Sequence, residues 1–230
     1  MTETTNNRAV SRDSASDVEA KYATPSYAQV PVYSAPTIAN PGPLGLSSFA
    51  LTTFVLSLHN AGAGVAADGP SNVVVGLAFF YGGIVQLLAG MWEFKTGNTF
   101  GATAFSSYGG FWLSYGLIFI PGAGITSSYA GEDESVFRNS MGIYLISWAI
   151  FTGIMLISSH RSSVGLMSMF FFLFITFILL AASEYNNSLT TKIAAGAFGT
   201  ITALAAWYNA LSGLLTKDSS YFLLPTGRLH

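Results

Sequence analysis

Six long apolar runs alternate with short polar stretches along most of this chain. They cover residues 44–67, 73–92, 100–120, 141–158, 164–182 and 193–215, and none of them contains Asp, Glu, Lys or Arg. Each run is 18 to 24 residues long and is bounded by Gly, Pro, Asn or charged residues. Because a helix of about 20 residues crosses the hydrocarbon core of a bilayer, the pattern predicts six transmembrane helices.

Composition and the internal pattern of the runs argue against other classes of protein. Only 9% of the residues are charged, against roughly 25% in a soluble domain, so buried helices of a large soluble protein are disfavoured. The runs do not alternate with a period of two, which favours helices over a transmembrane barrel. The chain has no cysteine, so disulfides and thiolate chemistry are excluded. The predicted fold is an all-α membrane protein, with a six-helix bundle over residues 40–216.

The positive residues predict how the bundle is oriented. Seven of the nine fall on one side, namely Arg8, Arg12, Lys21, Lys95, Arg161, Lys217 and Arg228, and only Arg138 and Lys192 fall on the other. By the positive-inside rule, both termini are predicted to be cytoplasmic. Residues 1–39 lack a signal-peptide pattern and are poor in large apolar residues, so they are predicted to form a disordered tail. Residues 217–230 are predicted to form a second cytoplasmic tail.

A minority of polar side chains falls within or beside the runs. A polar group without a partner is costly in hydrocarbon, so these side chains are expected to face the bundle interior or a wet path. For a single Ser or Thr, a hydrogen bond back to its own helix is the alternative explanation. The candidate path-lining residues are Asn40, Thr52, Thr53, His59, Asn60, Tyr81, Gln86, Glu93, Asn98, Tyr208 and Asn209.

No run contains a cationic residue, which limits what the bundle can conduct. A path for a permanent anion normally offers rings of Arg or Lys. Hydroxyls, amides and His59 instead suit a small weak acid that crosses with a proton, and equally a neutral solute such as ammonia. The sequence has no metal-ligand cluster, phosphate-binding loop, nucleophile elbow or basic nucleic-acid patch. An enzyme, a metal site, a cofactor and a nucleic-acid partner are therefore not predicted.

The heptapeptide Asn-Pro-Gly-Pro-Leu-Gly-Leu, residues 40–46, separates the polar tail from the first run. Pro41 and Pro43 prevent the first helix from extending backwards, because proline lacks an N–H and restricts the residue before it. The free N–H groups at the start of this helix form a mild anion-attracting site. Asn40 and the helix start are therefore hypothesised to form the cytoplasmic vestibule of a path.

Two blocks of sequence resemble the acetate uptake transporter family, the succinate–acetate permease-like proteins that include fungal acetate and ammonia transporters. The first block is the heptapeptide followed by Phe49, Thr52-Thr53 and Leu58-His59-Asn60. The second block comprises Tyr81-Gly82-Gly83, Gln86, Ala89-Gly90, Glu93, residues 97–101 and residues 107–112. The long polar tail is similar to that of fungal members.

The resemblance implies a six-helix protomer that assembles as a homohexamer in the lipid bilayer, with a substrate path through each protomer. It implies a narrow apolar constriction formed by Phe49, Tyr108 and Leu173. Such a ring excludes hydrated ions by dewetting, while a Tyr hydroxyl can pass on a carboxylic acid. The implied function is transport of acetate and related short monocarboxylates across the plasma membrane, coupled to protons.

Two other functions stay open on the sequence alone. One is export of ammonia or ammonium, which a neutral path also allows. The other is a membrane sensor of acetate that carries out no net transport. The sequence shows no internal repeat with broken helices of the kind that marks many rocking transporters, which favours a channel over alternating access.

Overall fold

A computed structural model describes residues 38–229 of the chain. The predicted N-terminal tail lies outside the described residues as far as residue 37. The described part contains six long helices: α1 (Gly42–Ala61), α2 (Val73–Thr96), α3 (Thr99–Ile118), α4 (Glu134–Ser158), α5 (Val164–Asn186) and α6 (Leu189–Leu214). Within α2, Phe80–Val85 form a π-helical segment. Two 3-10 turns, Pro121–Ala123 and Thr126–Tyr129, lie between α3 and α4.

Glycine, asparagine and serine fix several of the helix ends. Gly62 and Gly97 follow α1 and α2 in the left-handed conformation, with φ of 74° and 80°, which glycine adopts without strain. Asn98 and Ser188 accept hydrogen bonds from N–H groups in the first turns of α3 and α6. Only residues 97–98 separate α2 from α3, and only residues 187–188 separate α5 from α6. Each of these two pairs therefore forms an antiparallel hairpin.

The helices differ from the predicted runs mainly at their ends. α1 stops at Ala61 instead of residue 67, because the chain turns at Gly62. α4 begins at Glu134 instead of residue 141, because the Asp133 side chain caps it by accepting from the Ser135 N–H at 2.7 Å. Hydrophobicity marks the part of a helix suited to lipid, whereas capping groups decide where helical hydrogen bonding begins and ends.

Four helices in the described part of the chain, α2, α4, α5 and α6, are long and apolar enough to cross a membrane. α1 and α3 have 20 residues each and are rich in Gly, Ser and Thr. The predicted all-helical membrane protein is therefore supported, while the number of six membrane spans stays a prediction.

The six helices pack side by side as a closed ring. α1 packs along α6, and the ring continues through α5 to α4 on one side and through α2 to α3 on the other. Aromatic side chains join α3 to α4, where Phe111 stacks on Tyr144 with ring centroids 5.9 Å apart. Tyr108 likewise lies 6.1 Å from Trp148. Aromatic side chains, rather than closely packed backbones, thus form the contact between α3 and α4.

Glycines let α2 and α6 approach α1 closely. A Cβ built on Gly196 of α6 would lie 2.7 Å from the carbonyl oxygen of Ser57, and one built on Gly82 of α2 would lie 2.7 Å from Thr52 Oγ1. Both distances are shorter than real Cβ contacts, so any larger residue would push the helices apart. Close approach through small residues is a common way for helices to associate in lipid.

The C-terminal segment folds back over the start of α5. The carbonyl oxygens of Gly227 and Thr226 accept hydrogen bonds from the N–H groups of Val164 and Gly165, at 2.8 Å and 3.0 Å. The Tyr208 hydroxyl donates to the carbonyl oxygen of Pro225 at 2.7 Å. Part of the predicted C-terminal tail is therefore held against the bundle.

We expect Gly196→Ala to lower the free energy of unfolding by about 1–3 kcal/mol, because the added methyl group overpacks the contact between α1 and α6. Gly110→Ala is the matched control, since Gly110 is an exposed helical glycine with nothing within 4 Å of an added Cβ. The control change should be neutral or slightly stabilising, because alanine favours helix more than glycine does. Thermal unfolding in detergent measures both variants, and equal melting temperatures would contradict this account.

Candidate functional site

A small cavity, which we call the inner cavity, lies at the centre of the ring between α1, α3 and α5. Its volume is about 30 Å³. Phe49 and Leu173 both line it and are only 4% and 3% exposed. A space of this size is enough to hold a water molecule. The inner cavity is therefore narrow, with room for a small guest only.

Tyr108, the third residue of the predicted constriction, lies beside Phe49 with ring centroids 5.6 Å apart. Its hydroxyl is hydrogen-bonded to Thr152 Oγ1 at 2.9 Å. Since the Thr152 hydroxyl donates its one hydrogen to the carbonyl oxygen of Trp148 at 2.7 Å, the Tyr108 hydroxyl is the donor in this pair. The structure thus brings the ring of Tyr108 to Phe49 but ties its hydroxyl to α4.

Two polar groups in the wall of the inner cavity have no hydrogen-bond partner among the described residues. They are the hydroxyl of Thr53 and the indole N–H of Trp112. The amide nitrogen and oxygen of Gln86 and the hydroxyl of Ser106 are also buried without a hydrogen-bond partner among the described residues. Buried polar groups normally find a partner, so Thr53 and Trp112 are unusual. Both atoms are buried behind the wall, and the surface of the inner cavity itself is almost wholly apolar.

A larger cavity, which we call the mouth cavity, opens at the end of the bundle where α1 ends and α6 begins. Its volume is about 240 Å³. Leu56, Asn60, Phe111 and Leu180 line both this cavity and the inner cavity. The mouth cavity also reaches loop residues 69–72, outside the helices. The two cavities therefore adjoin, and together they run from the loops to Phe49 and Leu173.

At the opposite end of the bundle, the starts of α1 and α3 meet around the carboxylate of Glu93. Asn98 Nδ2 donates to Glu93 Oε2 at 2.8 Å. The Thr96 hydroxyl donates to the carbonyl oxygen of Glu93 at 2.9 Å and lies 3.3 Å from the same Oε2. A Cβ built on Gly42 would lie 3.5 Å from Glu93 Oε1, so this carboxylate lies against the first turn of α1. Asn40 Oδ1 accepts from the Gly42 N–H at 3.0 Å. We call Asn40, Glu93 and Asn98 the tail-end cluster.

This cluster changes the interpretation of the heptapeptide. Helix starts attract negative charge because their free N–H groups and dipoles point outward. The sequence hypothesis assigned such a site at the start of α1 to a path vestibule. In the structure the chain's own Glu93 carboxylate, 4% exposed, lies between two helix starts. Glu93 therefore satisfies at least part of this anion-attracting potential.

The remaining predicted path residues lie away from the inner and mouth cavities. Thr52 is fully buried, and its hydroxyl donates back to its own helix at 2.9 Å. His59 and Tyr81 are half-buried and line neither cavity. Tyr208 and Asn209 line a separate cavity of about 510 Å³ beside the C-terminal segment. Of the predicted polar lining, the structure brings Thr53 and Asn60 to the two cavities.

Four residues of the site were not in the predicted set. Thr152 and Trp112 lie within apolar runs, where a lone Thr is expected to bond its own helix and a Trp to pack. Glu184 and Lys192 line the mouth cavity, yet the predicted runs ended at residue 182 and began again at residue 193. Their position on either side of a very short loop was the signal that could have found them.

In the part of the chain that the structure describes, no group of three or more His, Cys, Asp or Glu side chains could hold a metal ion. The inner cavity offers almost only apolar contact to a guest. Residues 22–230 match the profile of the GPR1/FUN34/yaaH family. The chain belongs to this family. The resemblance predicted from the heptapeptide and the second block is therefore confirmed.

A solved structure of the GPR1/FUN34/yaaH family has the same fold. It is described as the bacterial acetate channel SatP, and the match has 36% sequence identity and a TM-score of 0.72. The match covers 83% of this chain and 100% of the solved chain. At this identity and coverage the likeness extends over the whole bundle.

Curated relatives carry names that refer to transport. Acetate permease A of Emericella nidulans is 49% identical over 81% of this chain and 65% of the relative. Ammonia transport outward protein 2 of Saccharomyces cerevisiae is 47% identical over 87% of this chain and 69% of the relative. The succinate-acetate/proton symporter SatP of Escherichia coli is 37% identical over 84% of this chain and 97% of the relative. The chain spans about two thirds of the length of these two fungal relatives.

We expect Asn98→Asp to destabilise the protein more than Asn98→Ser, by about 1 kcal/mol or more, because Asp places a second carboxylate beside Glu93. Asn, Asp and Ser are comparable as helix N-caps, so the difference between the variants reports on charge rather than capping. Thermal unfolding at neutral pH provides the measurement. In a Glu93→Gln background the two variants should unfold alike, and a persistent difference there would rule out charge repulsion as the cause.

Proposed function

We propose that the chain conducts acetate and related short-chain monocarboxylates across the plasma membrane, together with protons, through a path in each protomer. The observation that carries the proposal is the succession of two cavities. The mouth cavity, about 240 Å³, adjoins the inner cavity, about 30 Å³, at Leu56, Asn60, Phe111 and Leu180, and the inner cavity reaches Phe49 and Leu173. The names of acetate permease A and of the two SatP matches support the choice of substrate.

The physics of the inner cavity supports coupling to protons. None of the residues that line the inner cavity is charged. Moving an unpaired carboxylate from water into such surroundings is very costly, whereas the protonated acid needs only hydrogen bonds. The hydroxyl of Thr53 and the N–H of Trp112, which have no partner among the described residues, become available to the acid only when the wall moves, because both atoms are buried behind its apolar surface. The acid therefore passes the constriction in its neutral form, so each molecule carries a proton.

We further propose that residues 40–216 form six membrane spans with both termini in the cytoplasm, and that six protomers assemble. The outer faces of α2 and α4 support a membrane location, because large apolar side chains are exposed along both helices. They include Phe80, Leu88 and Trp92 on α2, and Ile150 and Ile157 on α4. Such faces suit contact with lipid or with neighbouring protomers.

Ammonia is the second candidate substrate. The observation that favours it is the 47% identity to Ammonia transport outward protein 2. Ammonia is neutral and about the size of a water molecule, so it fits the inner cavity as it stands. Ammonia therefore needs less width at the constriction than acetate does.

The proposal is tested by uptake of labelled acetate into liposomes that hold the purified full-length chain. We expect flux above that of protein-free liposomes, and we expect it to increase when the outside is made more acidic than the inside. Protein-free liposomes are an essential control, because acetic acid crosses lipid unaided. Flux equal to this control would contradict acetate transport, and parallel measurement of ammonia efflux would then test the second candidate.

A variant of the constriction gives a sharper prediction. We expect Phe49→Ala to raise the flux of a larger monocarboxylate such as lactate relative to acetate by several-fold, because it removes the aromatic ring that narrows the inner cavity. Phe80→Ala is the matched control, since this side chain is 71% exposed on the outer face of α2. An unchanged lactate-to-acetate ratio in Phe49→Ala would show that Phe49 does not set the width of the path.

A further inference from the structure

The mouth cavity has a charged rim, although the rest of its wall is apolar or neutral. Glu184, near the end of α5, and Lys192, near the start of α6, are the charged residues that line it. Both side chains are half-buried. A half-buried charge is screened less by salt than an exposed one, so either residue can act on an anion in the cavity.

Lys192 has no fixed partner in this position. Among residues 38–229, the one salt bridge joins Arg138 to Glu134 at 3.2 Å. No carboxylate oxygen in this part of the chain therefore lies within 4.0 Å of the Lys192 ammonium group. The neighbouring charged groups are nonetheless close, since Asp68, Arg138, Glu184 and Lys192 together line an adjoining polar cavity of about 320 Å³. The Lys192 ammonium is thus a cation at the rim of the path with its charge available.

We propose that Lys192 is the cation that binds the substrate carboxylate in the mouth cavity, and that Glu184 competes with the substrate for it. The inference rests on the proposed transport function and adds the place where the anion first binds. A carboxylate arriving from the loops meets Lys192 before it reaches Asn60 and the inner cavity. An ammonium group is a strongly hydrated point charge that suits this brief contact better than a fixed bidentate pair would.

Competition from Glu184 makes the affinity of the site depend on pH. The groups around Glu184 are Lys192 on α6, Arg138 with its partner Glu134 on α4, Tyr115 on α3 and the exposed Asp68 in the loop after α1. When Glu184 is ionised it shares the field of Lys192, and when it takes up a proton the ammonium is left to the substrate. The apparent KM for an anionic substrate therefore falls as pH is lowered through the pKa of Glu184, as long as the substrate itself stays ionised.

Labelled acetate uptake by liposomes that hold the full chain tests this inference, with initial rates at low ionic strength and protein-free liposomes subtracted. We expect Lys192→Met to raise KM by about five- to tenfold with the maximal rate little changed, because an attraction across a half-buried site is lost. Added salt should shrink this difference. Lys192→Arg should restore most of the affinity. Lys217→Met, at an exposed position beyond the end of α6, is the matched control and should behave as the unaltered protein.

Glu184→Gln gives the discriminating result. We expect it to lower KM near neutral pH and to flatten the dependence of KM on pH, the opposite direction to Lys192→Met. Damage to the fold would impair both variants alike, and thermal unfolding in detergent checks that each is folded. An unchanged KM in folded Lys192→Met, or a higher KM in Glu184→Gln, would overturn the inference while acetate transport still stood. Absence of flux in the unaltered protein would instead overturn the transport function itself.

Discussion

The close contact of α1 with α2 and α6 determines where the path-lining side chains lie. Gly82 and Gly196 allow this contact, because a Cβ at either position would lie within 2.7 Å of an atom of α1. Phe49, Thr53 and Asn60 all belong to α1 and all line the inner cavity. A small outward movement of α1 would carry these three side chains away from Leu173 on α5. The dimensions of the constriction thus depend on two glycines that do not line it.

The contact between α3 and α4 is formed by large aromatic side chains and not by glycines. Between α3 and α4 the space is occupied by aromatic rings, such as Phe111 stacked on Tyr144 with centroids 5.9 Å apart. Aromatic rings fill volume without bringing backbones together, and they leave room where they end. The mouth cavity reaches this region, since Phe111 and Tyr115 of α3 and Met141 and Leu145 of α4 line it. Tight packing at α1 and aromatic packing at α3 and α4 together leave the two cavities between these helices.

Charge is kept to the two ends of the bundle. At one end Glu93 is buried between the starts of α1 and α3, where Asn98 donates a hydrogen bond to its carboxylate. At the other end Glu184 and Lys192 border the mouth cavity. The carboxylate at the first end is buried and hydrogen-bonded within the protein, which suits a role in holding helices together. The charge at the second end is only half-buried, which suits contact with a solute.

The class of the protein and the approximate position of every helix follow from the apolar runs, because uncharged runs of this length suit the bilayer by local hydrophobicity alone. The heptapeptide and the block from Tyr81 to Trp112 also indicate the family. Which polar residues reach the cavities does not follow from these patterns and became clear from the packing of the helices. Thr53 and Asn60 reach them, whereas Tyr208 bonds the C-terminal segment and Tyr108 donates its hydroxyl hydrogen to Thr152. The physical reason is that a side chain's direction within a bundle depends on how neighbouring helices pack against it, and that packing is set by contacts between residues far apart in the sequence.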